Sequence, residues 1–433
     1  MNRAINEKHN SKSEKRRYAF LAFWSLVFFF LLLLRDSYGV GINKYVFVLL
    51  TGVCALTMSI GDLICLFCFL FPLYVGMPGN YMTIVLLARL VLSLNKFKFK
   101  ASSFFCAIFI CAFMLCQNMI TGYTGIVPMM FIPGVIVVLM LFSYQGELDT
   151  KAMTVLYSAG VAALGFIMLK STLNVYQFSD LLSVGFRLGS GNVDYVEEGI
   201  MNVSVDPNYY GMFTIATLST AVPMFLKPKT KILTRILLAV FSAVSLFVCL
   251  VGMSRAFIMV FAAWLVLYLI TRKSVKGAIS VIFLAILTLI IVTSVMPNVL
   301  AVIIDRFGSA DMATGNGRFT QIPEYFREWD RSIATMIFGI GLYNCEVHCM
   351  PLQFFFGGGI VLFCLMIAFF FSFIKQGKGM LSLGRISPML VTFLMMCSVP
   401  VAGMLNFMFP MVFVGLFSNN IENSDGCKES KYA

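Results

Sequence analysis

The sequence has little charge and almost no histidine. Charged residues make up 12% of its 433 residues and histidine only 2, whereas hydrophobic residues make up 60%. The mean hydropathy is +0.90. A soluble chain of this length would be unable to bury so much apolar surface, and the apolar runs approach the thickness of a bilayer. The composition therefore excludes a soluble fold and predicts an integral membrane protein.

Nucleotide-binding and metal-binding signatures are also missing. No Walker or dinucleotide fingerprint occurs, so an enzyme of this sequence would need a substrate that is already activated. The CxxC pair Cys65 and Cys68 lies within an apolar run, where thiols pack as small hydrophobic groups. Cys345 and Cys349 bracket a histidine but lack a further zinc ligand. We therefore predict no metal and no cofactor, and we interpret Cys345 and Cys349 as structural residues.

The apolar runs predict an all-α polytopic membrane domain over residues 18–418 with about 14 transmembrane helices (12 to 14). The predicted spans are 18–34, 45–60, 61–76, 81–94, 102–117, 124–144, 152–169, 206–226, 234–252, 255–271, 278–298, 352–374, 386–400 and 402–418. No small-residue cleavage site follows the first run, which we interpret as a retained span.

The distribution of basic residues predicts the orientation. With the N-terminus inside, the cytoplasmic segments hold twenty-two of the 32 lysines and arginines. This bias is typical of cytoplasmic loops. It places the basic tail 1–17 and the polar tail 419–433 in the cytoplasm. The two long polar stretches, 170–204 and 299–350, are then extracytoplasmic loops.

One basic residue, Arg89, lies inside a predicted span, and arginine dominates among the nine left outside. Seven of them are arginines, although the outer segments also carry twelve acidic residues, so local pairing is the alternative for each. Arginine is favoured where a planar fork must bind a phosphate or carboxylate. Arg255 opens an apolar run after a short turn, and Arg318 follows a glycine-rich turn. A functional role is favoured for these two, with Arg187 as a third candidate.

Three local patterns accompany these arginines. Asp206 followed by proline predicts a helix N-cap. Residues 318–329 predict a short amphipathic helix with Tyr325 and Trp329 on one face; it either caps the bundle or holds Arg318 over a head group. Gly357-Gly358-Gly359 lies inside a span, where it indicates close helix packing or a bend.

His348 lies just before an apolar run, at the predicted outer mouth of the bundle. Its side chain can accept a proton near neutral pH. The alternative is a polar residue that caps a helix end, and only its surroundings decide between the two.

Four clusters, taken together, resemble one family. They are Asp206-Pro207-Asn208-Tyr209, Ser254-Arg255, Gly317-Arg318 ahead of Trp329, and Gly339-Ile340-Gly341 leading to Val347-His348, followed by Pro351-Leu352-Gln353 and Gly358-Gly359-Ile360. Their order, spacing and outer placement resemble the O-antigen polymerase and O-antigen ligase superfamily of bacterial surface-polysaccharide assembly, over residues 187–375. The family commonly has asparagine after the histidine, where this chain has Cys349.

The resemblance implies a metal-independent, inverting glycosyltransferase of the bacterial cytoplasmic membrane whose active site faces outward. Its donor would be a glycan on a polyprenyl diphosphate such as undecaprenyl diphosphate, in exopolysaccharide or capsule synthesis. His348 would accept the proton of the attacking hydroxyl, and Arg255 and Arg318 would stabilise the leaving diphosphate. The predicted substrate-binding residues are Arg187, Asp206, Asn208, Tyr209, Ser254, Tyr343, Asn344 and Gln353. Expected partners are the lipid-linked glycan, membrane lipid and a chain-length regulator, and no nucleic acid.

A polymerase of lipid-linked repeat units is preferred narrowly over a ligase, which would use the same site with a lipid, protein or wall acceptor. A lipid-oligosaccharide flippase is the rival from another class. It would be expected to show two similar halves and polar residues near mid-membrane, and the sequence shows neither. A structural scaffold would leave Arg255, Arg318 and His348 without a role.

Overall fold

The structure is a computed structural model, and its described secondary structure is helical. It describes residues 2–121, 126–174, 176–183, 205–228, 230–252, 254–271, isolated positions between 279 and 304, 318–345, 347–373, 383–401 and 409–418. Across these ranges there is no β-strand, and one isolated bridge joins Phe97 to Tyr144. The predicted all-α class is therefore confirmed for the described residues.

The helices follow the hydropathy pattern closely. In chain order they are α1 (Asn2–Tyr38), α2 (Tyr45–Thr57), α3 (Ile60–Leu73), α4 (Gly79–Val91), α5 (Ala101–Thr121), α6 (Ile126–Ser143), α7 (Thr150–Leu173), α8 (Phe178–Ser183), α9 (Pro207–Leu226), α10 (Ile232–Val251), α11 (Arg255–Thr271), α12 (Arg318–Trp329), α13 (Ile333–Phe338), α14 (Met350–Phe373), α15 (Leu383–Met396) and α16 (Phe409–Ser418). Thirteen of the predicted spans overlap one of these helices, although residues 402–408 of the last span lie outside the described residues. The span 278–298 lies almost wholly outside the described residues.

Within the described ranges, six helices are long and apolar enough to cross a membrane. They are α1 from Glu14 onward, α5 to Ile120, α7, α9, α10 and α14. By length and composition these helices mark a membrane-embedded protein. The basic residues before Tyr18 continue α1 as helix.

Burial separates central helices from peripheral ones. The central helices α3, α7 and α9 are mostly buried, and α7 packs against both of the others. By contrast, α1, α5 and α10 expose large apolar side chains such as Phe23, Phe105 and Ile232. A soluble protein would carry polar residues there. The apolar exterior is the surface that lipid would cover.

Polar contacts divide the helix ends into two groups. At one end, which we call the Arg17 end, Arg17 forms ion pairs with Asp62 and Asp149 where α3 and α7 begin. At the other, the Arg35 end, Arg35 pairs with Asp36 and donates to the Gly76 carbonyl after α3. Local pairing, the alternative raised for every outer arginine, therefore holds for Arg35.

The same division extends to α14. A hydrogen bond of 2.8 Å between Ser103 Oγ and Ser372 Oγ joins the start of α5 to the end of α14. The start of α5 lies at the Arg17 end, because Tyr144, which bridges to Phe97, reaches Gly61 near Asp62. The beginning of α14, and the residues before it, therefore lie at the Arg35 end.

A glycine permits the tight packing of α3 on α7. A Cβ atom added at Gly160 would lie 2.3 Å from the carbonyl oxygen of Phe69, which is closer than any ordinary contact. Because the obstacle is backbone, it cannot rotate away. This position requires glycine so that the two central helices can approach.

We expect Gly160→Ala to lower the free energy of unfolding by about 1–3 kcal/mol, since the added methyl group overpacks the α3–α7 contact. The matched control is Gly52→Ala in α2, where an added Cβ meets nothing within 4 Å. Thermal melting of the detergent-solubilised proteins measures both. Equal melting temperatures for the two variants would contradict this account of the packing.

Candidate functional site

The candidate site is built around a break in α14. Gly359 has a φ of 69°, so the helix is interrupted there and continues in a new direction. The bend predicted for the triple glycine is thus confirmed. An interrupted helix leaves backbone carbonyls unpaired, and inside a membrane no water is at hand to satisfy them.

The residues before α14 fold back and satisfy these carbonyls. The N–H of Ile340 donates to the Phe356 carbonyl at 3.1 Å, and the N–H of Gly341 donates to the Gly357 carbonyl at 2.9 Å. Gly339 permits this approach because its φ is 77° and a Cβ there would lie 2.2 Å from the Gly357 oxygen. The Gly339-Ile340-Gly341 motif therefore has a structural task, which is to dock on the break.

Gln117, near the end of α5, completes the docking. Its Nε2 donates to the carbonyls of Phe338 and Gly357, the latter at 2.7 Å. Its Oε1 accepts the N–H of Leu342 at 3.4 Å. The side chain is 4% exposed. One glutamine on a neighbouring helix thus holds the folded-back segment against α14 just before the break.

We call residues 339–349 the His348 loop. Buried side chains anchor it ahead of His348, since Leu342, Cys345 and Val347 are almost fully buried, and Met350 is fully buried just after the loop. Gln353 Nε2 donates to the Leu342 carbonyl at 3.0 Å. The side chain of His348 is exposed. The loop therefore presents the histidine to the exterior on a backbone that is held in place.

A second group of predicted residues lies where α9 and α11 begin. Asp206 caps α9 by accepting the N–H of Asn208 at 2.7 Å, as predicted. Ser254 Oγ accepts the N–H of Phe257 and donates to Asn208 Oδ1 at 2.6 Å. Because Asn208 and Ser254 are both buried, this bond fixes the two helix starts together. Arg255, half-buried, is the first residue of α11 beside this junction.

The residues after α15 join the two groups. Tyr209 donates its hydroxyl to the Pro400 carbonyl at 2.7 Å. The next residue, Val401, donates its N–H to Gln353 Oε1. A continuous series of contacts therefore runs from Ser254 through Tyr209 and Pro400 to Gln353 and the His348 loop. Three clusters that are far apart in sequence meet at the Arg35 end.

α12 covers the His348 loop, and its predicted amphipathic character is confirmed. Ile322, Tyr325 and Trp329 share a face that packs in one cluster with Cys345 and Val347 of the loop. The Trp329 ring lies 4.8 Å from that of Phe355 in α14. The contacts show that this helix covers the loop, and the placing of Arg318 over a head group stays a prediction.

The remaining predicted residues occupy varied positions. Arg187 lies outside the described residues, as do the residues just before Arg318; Arg318 itself begins α12. Asn344 is exposed and donates to the Ile340 carbonyl at 3.1 Å, while Tyr343 is half-buried. Asn208 and Gln353 are buried, and the role that the structure shows for them is to hold backbone and helix starts. Their contact with a substrate stays a prediction.

Three participants were not predicted from the sequence. Gln117 stands with Asn118 at the end of an apolar run, and its partners are more than two hundred positions away. Pro400 and Val401 contribute only backbone atoms, which any residue possesses. A polar side chain buried in a membrane helix is a general sign of a specific partner, and this sign alone would have singled out Gln117.

Comparisons with protein-family models, with curated proteins and with solved structures found no match to this chain.

We expect Gln117→Leu to destabilise the docked loop, because each buried carbonyl left without a donor costs about 1–3 kcal/mol. The same substitution at the exposed residue Gln145 is the matched control. Limited proteolysis of the purified proteins measures the opening of the His348 loop. Equal cleavage of both variants after residue 339 would show that Gln117 does not hold the loop.

Proposed function

We propose that this protein is an outward-facing membrane glycosyltransferase that joins oligosaccharide repeat units carried on a polyprenyl diphosphate. The observation that carries the proposal is the meeting of three sequence clusters at one end of the bundle, through Asn208–Ser254, Tyr209–Pro400 and Gln353–Val401. These are the clusters whose order resembles the polymerase and ligase superfamily. Two further residues belong to this assembly: the exposed His348, on a loop held by hydrogen bonds, and Arg255, at the start of α11.

The proposed topology has about 14 spans, with both termini in the cytoplasm and the Arg35 end outside. The positive-inside bias supports it. Lys96, Lys98 and Lys100, between α4 and α5, and Lys151 in α7 lie beside the Arg17 end. The candidate site is at the opposite end. It would therefore face the side of the membrane where lipid-linked glycans are assembled into polymers.

The proposed reaction is a single displacement at an anomeric carbon. The hydroxyl oxygen of the acceptor repeat forms a bond to that carbon, while the bond from the carbon to the diphosphate oxygen breaks. His348 accepts the hydroxyl proton, and polyprenyl diphosphate leaves with the electron pair of the broken bond. Attack from the face opposite the leaving group inverts the anomeric configuration. The reaction consumes no nucleotide, because the diphosphate linkage is already activated.

Arginine suits the leaving group in this scheme. The departing diphosphate gains negative charge, and a planar guanidinium can bind two of its oxygens at once. Arg255 stands next to Ser254, whose hydroxyl is fixed on Asn208, so its backbone is well positioned. Arg318 opens the helix that covers the His348 loop. We assign both arginines to the diphosphate, with Arg187 as a further candidate.

The topology is testable with inserted epitopes. An epitope between Asp330 and Arg331, in the turn after α12, should bind antibody on intact spheroplasts. An epitope between Gln145 and Gly146, at the Arg17 end, should bind only after permeabilisation. The reverse pattern would overturn the orientation and, with it, the outward-facing site.

His348→Ala should lower the rate of polymerisation by about 100-fold or more, since a general base contributes at least that factor. The purified protein is reconstituted with a lipid-linked repeat unit as sole substrate, and product length is followed on a gel. His9→Ala, which removes the only other histidine, should leave the ladder unchanged. A full ladder from His348→Ala would refute its role as base.

Arg255→Ala should abolish the ladder, and Arg255→Lys should restore only part of it, because lysine keeps the charge but loses the fork. The control is Arg327→Ala, because Arg327 is exposed and bonds the Pro323 carbonyl of its own helix. Product from both Arg255→Ala and Arg318→Ala at the normal rate would refute the diphosphate assignment. Transport of the intact lipid-linked unit without polymer would favour a flippase, and transfer only to an added core acceptor would favour a ligase.

A further inference from the structure

Two thiols meet beside the candidate site. Cys349, the last residue of the His348 loop, is hydrogen-bonded through its side chain to Cys397, just after α15. The segments that carry them are held together by an independent contact, the bond from the Val401 N–H to Gln353 Oε1. The Gln353 N–H in turn donates to the Cys349 carbonyl at 2.9 Å. The two cysteines therefore face each other across a junction that other bonds fix.

The other cysteine of the loop has a different environment. Cys345 is fully buried, and its Cβ would lie 3.2 Å from a Cβ added at Gly357. Its thiol bonds to the backbone of Val347 and Gly357, and burial raises its pKa to about 11. Of the two cysteines that bracket His348, only Cys349 contacts a second thiol. These contacts therefore do not pair Cys345 with Cys349.

We propose that Cys349 and Cys397 form a reversible disulfide that fastens the His348 loop to the end of α15. Both residues are half-buried, so their sulfur atoms are neither sealed in the core nor fully exposed. A thiol pair in contact needs little movement to bridge. The bridge would add a covalent link to a junction that now depends on hydrogen bonds.

Oxidation would proceed by thiol–disulfide exchange with a disulfide-bearing oxidant, either a protein or a small molecule. The Cys349 thiolate attacks one sulfur of that disulfide and displaces the other as a thiolate, which gives a mixed disulfide. Cys397 then loses its proton, attacks the Cys349 sulfur and releases the second thiolate. The protein loses two electrons and two protons, and the oxidant disulfide becomes two thiols.

The surroundings of Cys349 favour the first step. The hydrogen bond with Cys397 lowers the pKa of the Cys349 thiol, against the opposing effect of burial. A lowered pKa raises the share of the thiolate, which is the form that attacks a disulfide. In the proposed topology the pair also lies on the outer side of the membrane, where disulfides persist.

The bridge would act on the whole site. The segment after Cys397 also receives the Tyr209 hydroxyl at Pro400, so it touches the α9 start as well as the His348 loop. Fixing the loop to this segment would hold the histidine group and the Asn208–Ser254 group at a constant separation. The oxidised protein should therefore be the more rigid form.

The test uses the purified full-length chain in detergent, incubated with oxidised or reduced glutathione, alkylated and digested. Mass spectrometry should find a peptide containing Cys349 linked to one containing Cys397, only after oxidation. The melting temperature should rise by about 5 °C, as expected for a disulfide that closes a long loop. Cys349→Ala and Cys397→Ala should each abolish both effects.

Cys345→Ala is the matched control, and it should keep both the linked peptide and the rise in melting temperature. A linked peptide that pairs Cys345 with Cys349, or alkylation of Cys349 and Cys397 after oxidation, would overturn the proposal. If a variant fails to fold, the mass map of the wild-type protein decides alone. The outcome does not bear on glycosyl transfer, because the bridge is assayed without substrate.

Discussion

The interruption of α14 is the constraint on which the candidate site depends. A helix that ends inside an apolar bundle exposes carbonyl oxygens, and each one left unpaired costs about 1–3 kcal/mol. Here the carbonyls of Phe356 and Gly357 are paired by Ile340, Gly341 and Gln117. Because these donors belong to the His348 loop and to α5, the position of the loop follows from satisfying the break. The exposed histidine is thus placed by a requirement of the backbone.

This arrangement makes the site a single mechanical unit. Gln353 bonds the His348 loop on one side and Val401 on the other, while Tyr209 bonds the neighbouring Pro400. A shift of the residues after α15 would therefore displace the start of α9 and, through the Asn208–Ser254 bond, the start of α11. A side-chain change at Pro400 or Val401 would leave the bonding atoms in place, since they belong to the backbone. The residues after α15 therefore fix the two groups relative to each other through backbone atoms, and their side chains make none of these bonds.

The hydropathy of the sequence was sufficient to predict the helices, and local rules were sufficient for the Asp206 cap and the α12 face. Periodicity and capping act within a few residues, so a single sequence reveals them. The contacts of Gln117, Pro400 and Val401 depend instead on which distant segments meet. The glycine triplet indicated close packing or a bend. The sequence did not show that Gly339-Ile340-Gly341 would be the segment that bonds to the carbonyls there. Every residue carries the same backbone groups, so residue type does not show which distant backbone groups will pair. These contacts were missed for that reason.

The short helices α2 and α4 have a consequence for the surrounding lipid. Each has 13 residues and exposes apolar side chains such as Leu56 and Val91. At 1.5 Å per residue their length is about 20 Å, whereas a bilayer core is about 30 Å thick. Hydrophobic mismatch of this size is relieved by compressing the acyl chains beside the helices. The bilayer would then be thinner beside α2 and α4, with lipid head groups drawn inward on that flank.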